Sequence, residues 1–121
     1  MLVVVVSCIS SIQSEQGMIA QMEVDVETAR LLTWKAASLK DAGKPIGKVA
    51  AMAKLYASEV ATKVTHMAMQ LMGEEGMVRG SGVERNYRDA RITEIYEGTS
   101  EIQKVVIAGH MKNEFKQAVS M

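Results

Sequence analysis

Glu97 stands between Tyr96 and Gly98 in a stretch, Ile95 to Gly98, that reads as a connection rather than a helix. A carboxylate in such a place can take a proton when it is desolvated and the target lies close. Gly98 lets the backbone approach a bound molecule. Taken alone, Glu97 is a solvated loop carboxylate, and only its neighbours raise it above that. The other candidates are weaker. His66 and His110 lie far apart in sequence and read as surface or packing histidines. Cys8 is the single cysteine, so no internal disulfide forms, and no Cys/His cluster has zinc spacing. Arg85, Arg88, Asp89 and Arg91 alternate in charge and read as a solvated, salt-bridged face.

The elements that would position Glu97 are helices. From about Ile12 to Lys40, Ile19, Met22, Val26, Ala29 and Ala36 recur at helical spacing and put one face into a core. Asp41-Ala42-Gly43-Lys44-Pro45 stops that helix, because glycine suits a helix end and proline cannot continue one. A second helix is predicted from about Ile46 to Met72. Its stripe is Val49, Met52, Ala53, Tyr56, Val60, Val64, Met67 and Leu71, with alanines between that raise helix propensity and allow close packing. Gly73, Gly76, Gly80 and Gly82 mark a loop. A short helical piece is expected over Val83 to Arg91. A last helix should run from Ser100 to about Lys116. Ser100 with Gln103 has the form of a capping box, and Ile102, Val105, Val106 and Met111 are its expected buried face. The fold class is therefore all-α, an antiparallel helical bundle. Residues 1–11, with the run Leu2 to Val6, form an apolar tail outside the pattern. Residues 12–121 form one domain.

Composition narrows the function. The 121 residues suffice for one modest domain. Lys plus Arg and Asp plus Glu are 14 each, so the basic surplus that nucleic-acid binding needs is missing. The ten methionines suit a helical core. The Leu2 to Val6 run is too short to span a bilayer, and it lacks the charged flank of a secretion signal. Two long helices and a short one leave apolar surface uncovered, so self-association or partner segments are expected.

Tyr87-Arg88-Asp89-Ala90, followed by Ile95-Tyr96-Glu97-Gly98-Thr99-Ser100-Glu101-Ile102-Gln103, resembles the acyl-CoA dehydrogenase signature almost letter for letter. Ala50 to Glu59 and Glu27 to Thr33 are also similar to that family. The resemblance covers roughly residues 12–112 and implies the family's carboxy-terminal helical domain without its first helix. It further implies FAD-dependent oxidation of an acyl-CoA thioester to the trans-2-enoyl-CoA. In that chemistry Glu97 is the base, its amide donates to the thioester carbonyl, and Gly98 lies against the substrate. A base at this position points to the short-chain or short-branched-chain branch.

By the same resemblance Thr99, Ser100 and Glu101 lie near the adenosine half of FAD. Gln13, in Ile12-Gln13-Ser14-Glu15-Gln16, matches a flavin-contacting glutamine. Gln70, Leu71, Met72, Gly73 and Glu74 match a stretch that meets the flavin of a neighbouring subunit. The plainer alternatives are a helix cap for Thr99, a surface amide for Gln13, and a helix end for Gln70 and Gly73. Electron-transfer flavoprotein as redox partner, a homotetramer and the mitochondrial matrix are family expectations. No transit peptide is visible.

The sequence departs from the family at one place in particular. Gly73-Glu74, followed by Glu75, replaces the usual Gly-Gly, and two carboxylates repel a pyrophosphate. The family's amino-terminal helical and middle β domains hold most of the flavin and thioester, and these residues do not include them. Two readings result: an acyl-CoA dehydrogenase piece that acts only in a complete chain, or a non-catalytic helical module that keeps the family's self-association surface.

Overall fold

The computed structural model describes residues 13–120, and they are helical almost throughout. The predicted apolar tail, residues 1–11, lies outside the described residues. The elements are α1 (Gln13–Asp41), α2 (Gly47–Met72), α3 (Glu74–Met77), α4 (Gly82–Ile92) and α5 (Ser100–Val119).

α1 stops where glycine and proline require it. Gly43 adopts φ +65°. Its N–H donates to the Lys40 carbonyl at 3.0 Å, and the Lys44 N–H donates to the Leu39 carbonyl at 2.9 Å. This pair of bonds is a Schellman ending, which satisfies carbonyls the helix would leave open. The chain then turns back, so α2 runs antiparallel to α1.

α2 is the centre of the bundle, because α1, α4 and α5 all pack against it. The residues that allow this are small: Ala51, Ala53, Ser58, Thr65 and Ala68 are buried. The Ser58 and Thr65 hydroxyls donate to carbonyls one turn back in their own helix, so their burial leaves no unpaired donor. The core joins Met22 and Ala29 of α1, Val60, Val64 and Ala68 of α2, and Val83 of α4. Tyr56, Met67, Met69 and Met72 pack around it, which is the gap-filling use of methionine that the composition suggested.

Three expectations need correction. The glycine-marked loop after α2 contains a helical turn, α3, over Glu74–Met77. Ser81 bridges that turn to α4, donating to the Gly76 carbonyl and accepting from the Glu84 N–H, both at 3.1 Å. The spacing Ser81-x-x-Glu84 was a legible N-cap signal. The cap of α5 is Thr99 rather than Ser100, since the Thr99 hydroxyl accepts from the Ile102 N–H. Ser100 is the first residue inside the helix.

The third correction is the face of α5. Ile102, Val105, Val106 and Met111 are all exposed. α5 meets α2 instead through polar contacts. Lys48 pairs with Glu114 at 2.6 Å and Lys104 with Glu59 at 3.4 Å. The imidazole of His110 lies over Gly47, where a β-carbon would stand 2.8 Å from its Nε2. No stripe in α5 is apolar enough to decide its orientation, so these long-range partners set it.

One charge sits inside the α1–α2 contact. Asp25 is 5% exposed, paired with Lys63 at 2.6 Å and accepting from the Gln21 amide at 3.0 Å. The Lys63 hydrogen bond holds its carboxyl below the usual carboxylate range. A depressed folded-state pKa contributes stability that is present above the ordinary value of 3.8 and is lost as pH falls through the folded value. Asp25→Asn should cost about 1–2 kcal/mol at neutral pH. In urea titrations, the wild-type chain should lose its advantage over the variant on acidification below pH 3.8. Parallel acid profiles for the two proteins would refute this.

Candidate active site

The turn between α4 and α5 carries Glu97 in a strained shape. Thr93, Glu94, Ile95 and Tyr96 each donate back to carbonyls of Ala90, Arg91 or Ile92, so the helix tightens as it ends. Ser100 N–H then reaches the Glu94 carbonyl at 3.1 Å and closes the loop. Between these bonds, Glu97 adopts φ +53° and Gly98 φ +94°. Glu97 is the one non-glycine residue with positive φ among the described residues. An L-residue pays about 1–2 kcal/mol for that conformation, and such strain concentrates at functional sites.

Three side chains hold the turn. Lys54 of α2 donates from Nζ to the Gly98 carbonyl at 2.7 Å. The Gln103 amide donates to the carbonyls of Glu97 and Gly98 at 3.4 and 3.3 Å. Thr62 of α2 donates to the Glu94 carboxylate, which also pairs with Arg91 at 2.6 Å. Lys54, Ser58 and Ala61 of α2 and Thr93, Tyr96 and Glu97 of the turn share a concavity of about 260 Å³. Glu97 itself is exposed and enters no ion pair among the described residues. Its N–H takes part in no backbone hydrogen bond of the turn.

The predicted site residues fall into two groups. Glu97, Gly98, Thr99, Ser100 and Glu101 are consecutive at the turn and the start of α5, beside the Lys54 level of α2. Gln70, Leu71, Met72, Gly73 and Glu74 lie at the far end of α2. Lys54 and Gln70 are 16 residues apart in that helix, a separation of about 24 Å. Gln13 joins the second group. α1 and α2 are antiparallel and Asp25 faces Lys63, so the start of α1 lies at the level of Gly73. One copy therefore does not bring all these residues to one point.

The two groups suit a nucleotide differently. At the start of α5, the Ser100 hydroxyl is buried and has no hydrogen-bond partner among the described residues, while the first N–H groups of the helix are taken up by the Glu94 carbonyl and the Thr99 hydroxyl. Glu101 already turns its carboxylate onto this positive end. Its carboxyl is held below the usual range, first by its own backbone N–H and then by the Thr99 hydroxyl. At the far end, His66, Met69, Gln70, Gly73, Met77 and Tyr87 line a largely apolar concavity of about 360 Å³. The His66 and Tyr87 rings stand 6.0 Å apart. Space above Gly73 is open, with φ +56° and no atom within 4 Å of an added β-carbon. That shape fits a flat heterocycle. Glu74 and Glu75 beside it do not fit a pyrophosphate.

Sequence reasoning missed Lys54, Thr62 and Gln103 as parts of the site. A lysine or threonine in the middle of a helix carries no mark of what lies across from it. Gln103 was read as half of a capping box, and its amide instead serves the preceding turn.

A carboxylate on a clamped turn, at the surface of an antiparallel helical bundle, defines an α-helical domain that presents an exposed acidic side chain. The sequence model of the family described as "Acyl-CoA dehydrogenase, C-terminal domain" matches residues 7–112, and the chain belongs to that family. It is 56% identical over 108 residues to the mitochondrial short-chain specific acyl-CoA dehydrogenase of Bos taurus, covering 89% of this chain and 26% of that protein. It is also 56% identical over 92 residues to the short-chain specific acyl-CoA dehydrogenase of Clostridium acetobutylicum, covering 76% and 24%. Among solved structures, butyryl-CoA dehydrogenase from Megasphaera elsdenii matches with a TM-score of 0.82 and 44% identity, over 86% of this chain and 27% of that one. The chain thus spans about a quarter of the length of these relatives.

Gly98 has two reasons to stay glycine. Its φ is left-handed, and an added β-carbon would stand 2.7 Å from the Gln103 amide nitrogen. Gly98→Ala should destabilise the chain by about 1–3 kcal/mol and free the Gln103 side chain. Urea unfolding together with the Gln103 side-chain amide resonances would check both; an unchanged midpoint would show that the turn tolerates a side chain.

Proposed function

We propose that this chain supplies the catalytic-carboxylate module of a short-chain acyl-CoA dehydrogenase and acts only within a complete enzyme. The observation that carries this reading is Glu97 itself, a glutamate in a left-handed turn with a free carboxylate and an unengaged N–H. Glu97 takes the proton from the carbon next to the thioester carbonyl. As negative charge moves onto the carbonyl oxygen, the Glu97 N–H is free to donate to it, which stabilises the enolate-like state. Gly98 keeps the backbone bare so that the thioester can come close. FAD, when bound, supplies the acceptor for the β-hydrogen and its electron pair.

Thr99, Ser100 and Glu101 are the residues that would hold the flavin nucleotide on this copy. Gln70, Leu71, Met72 and Gly73, with Gln13 at the same end, would face the nucleotide of a neighbouring copy, since about 24 Å of helix separates them from the first group. Glu74 does not suit that role. Glu97 is exposed in this chain, so the desolvation that a carbon acid demands comes from substrate and from the rest of the enzyme. A short acyl-CoA is the substrate class supported by the bovine, clostridial and Megasphaera likenesses. Electron-transfer flavoprotein is the family's redox partner and our assignment here. The mitochondrial matrix is our assignment on the bovine likeness, and fractionation of the source cells tests it against the bacterial alternative.

A second reading has its own support. Trp34 on α1 and Val105, Phe115 and Val119 on α5 are more than half exposed. An apolar groove of about 450 Å³, lined by Val26, Ala29, Val60 and Val64, also runs beside α4. A module that only self-associates would use such surfaces.

Two measurements separate the readings. The isolated chain, mixed with FAD and freed of excess, should show no flavin band and form no enoyl-CoA from butyryl-CoA. Residues 13–112, placed into the bovine enzyme in place of their counterparts, should restore butyryl-CoA oxidation. Glu97→Gln in that hybrid should lower kcat by at least about a hundredfold with flavin retained. A hybrid that binds flavin but is inactive with Glu97 intact would favour the self-association reading.

A further inference from the structure

The turn that presents Glu97 leaves its two central residues, 97 and 98, without backbone hydrogen bonds of their own among the described residues. Glutamate has no intrinsic preference for φ +53°, and the N–H of Glu97 gains no hydrogen bond from the turn. The backbone bonds of the turn end at Tyr96 and resume at Ser100, so the hold on residues 97 and 98 themselves comes from side chains. Among the described hydrogen bonds, two side chains reach the backbone of residues 97 and 98. Gln103 comes from the helix that follows, at 3.4 and 3.3 Å, long for an amide bond. Lys54 comes from α2, 44 positions away in sequence, with a 2.7 Å bond from a charged donor. The short charged bond is the stronger one, and it is the one that ties the turn to the centre of the bundle.

Lys54 also lines the same concavity as Glu97. A lysine there is placed where an ion pair with the carboxylate is an alternative. It pairs with the Gly98 carbonyl instead, and Glu97 enters no ion pair among the described residues. The charge of Lys54 is thus directed at the backbone that carries the base and not at the base.

We infer that Lys54 is a positioning residue: by holding the Gly98 carbonyl, its ammonium fixes the left-handed backbone of Glu97 and so the direction of the carboxylate. The role rests on the reading of Glu97 as the proton acceptor, but the geometry is testable without any turnover.

The test uses the 121-residue chain, isotopically labelled, in solution. Positive φ gives a strong cross-relaxation peak between the amide and α protons of the same residue, and Glu97 should show it. In Lys54→Met the peak should fall to the level of ordinary helical residues. Amide exchange at Ser100, whose N–H donates to the Glu94 carbonyl and closes the turn, should rise about tenfold, the loss of one charge-assisted hydrogen bond. Lys54→Arg should restore both. Lys63→Met, which breaks the Asp25 pair, should lower the thermal midpoint and leave the Glu97 peak intact. Persistence of the peak in Lys54→Met, its loss in Lys63→Met, or failure of arginine to restore it would each overturn the inference. An inactive hybrid enzyme would instead remove the catalytic reading while this outcome stood.

Discussion

Three neighbours must approach one helix at close range, and every other feature of this molecule depends on that contact. α2 can serve because its buried positions are Ala51, Ala53, Ser58, Thr65 and Ala68 rather than large residues. Small side chains let α1 and α4 come near, while Val60 and Val64 supply the apolar contact between them. The two buried hydroxyls bond back to their own helix and ask nothing of the partners. Packing against α2 also aligns the two ends of the site. Its Lys54 level holds the Glu97 turn, and its Gln70 end forms the apolar concavity with Tyr87.

Polar contacts then do what apolar ones do not. The core consists of a few valines, alanines and methionines, and such a surface does not by itself select a register between helices. Asp25 with Lys63 selects it for α1. Lys48 with Glu114, and Lys104 with Glu59, select it for α5. Exposed pairs contribute little stability, so the α5 pairs set position more than they hold the helix down. This division explains why α5 can turn Ile102, Val105 and Phe115 outward. Those side chains stay uncovered among the described residues.

The helices were legible from spacing, and their limits were close to those found. Pro45 and Gly43 marked the end of α1, and the stripe through Val60 and Val64 marked the buried side of α2. The errors share a cause. α3 was hidden among glycines because a four-residue helix has no period to read. The buried face of α5 was misassigned because Val105 and Val106 sit side by side, and apolar residues spread round a helix between Glu101, Lys104, Lys112 and Lys116 point in no single direction. The cap was displaced by one residue because Thr99 and Ser100 carry the same capping group.

At the site, Glu97, Gly98 and Thr99 were legible because their order is that of a family signature, and each occupies the turn that the order implied. That the turn is left-handed at a glutamate was not legible, since nothing in the letters favours φ +53° there. Lys54, Thr62 and Gln103 were not legible either. Their importance lies in what stands opposite them, and the two helix partners are separated from the turn by 44 and 32 positions. The sequence by itself determined the helices, the place of Glu97 within the signature turn and the family. The tertiary structure alone decided how the Glu97 turn is held, because a hydrogen bond between distant residues has no local pattern to announce it.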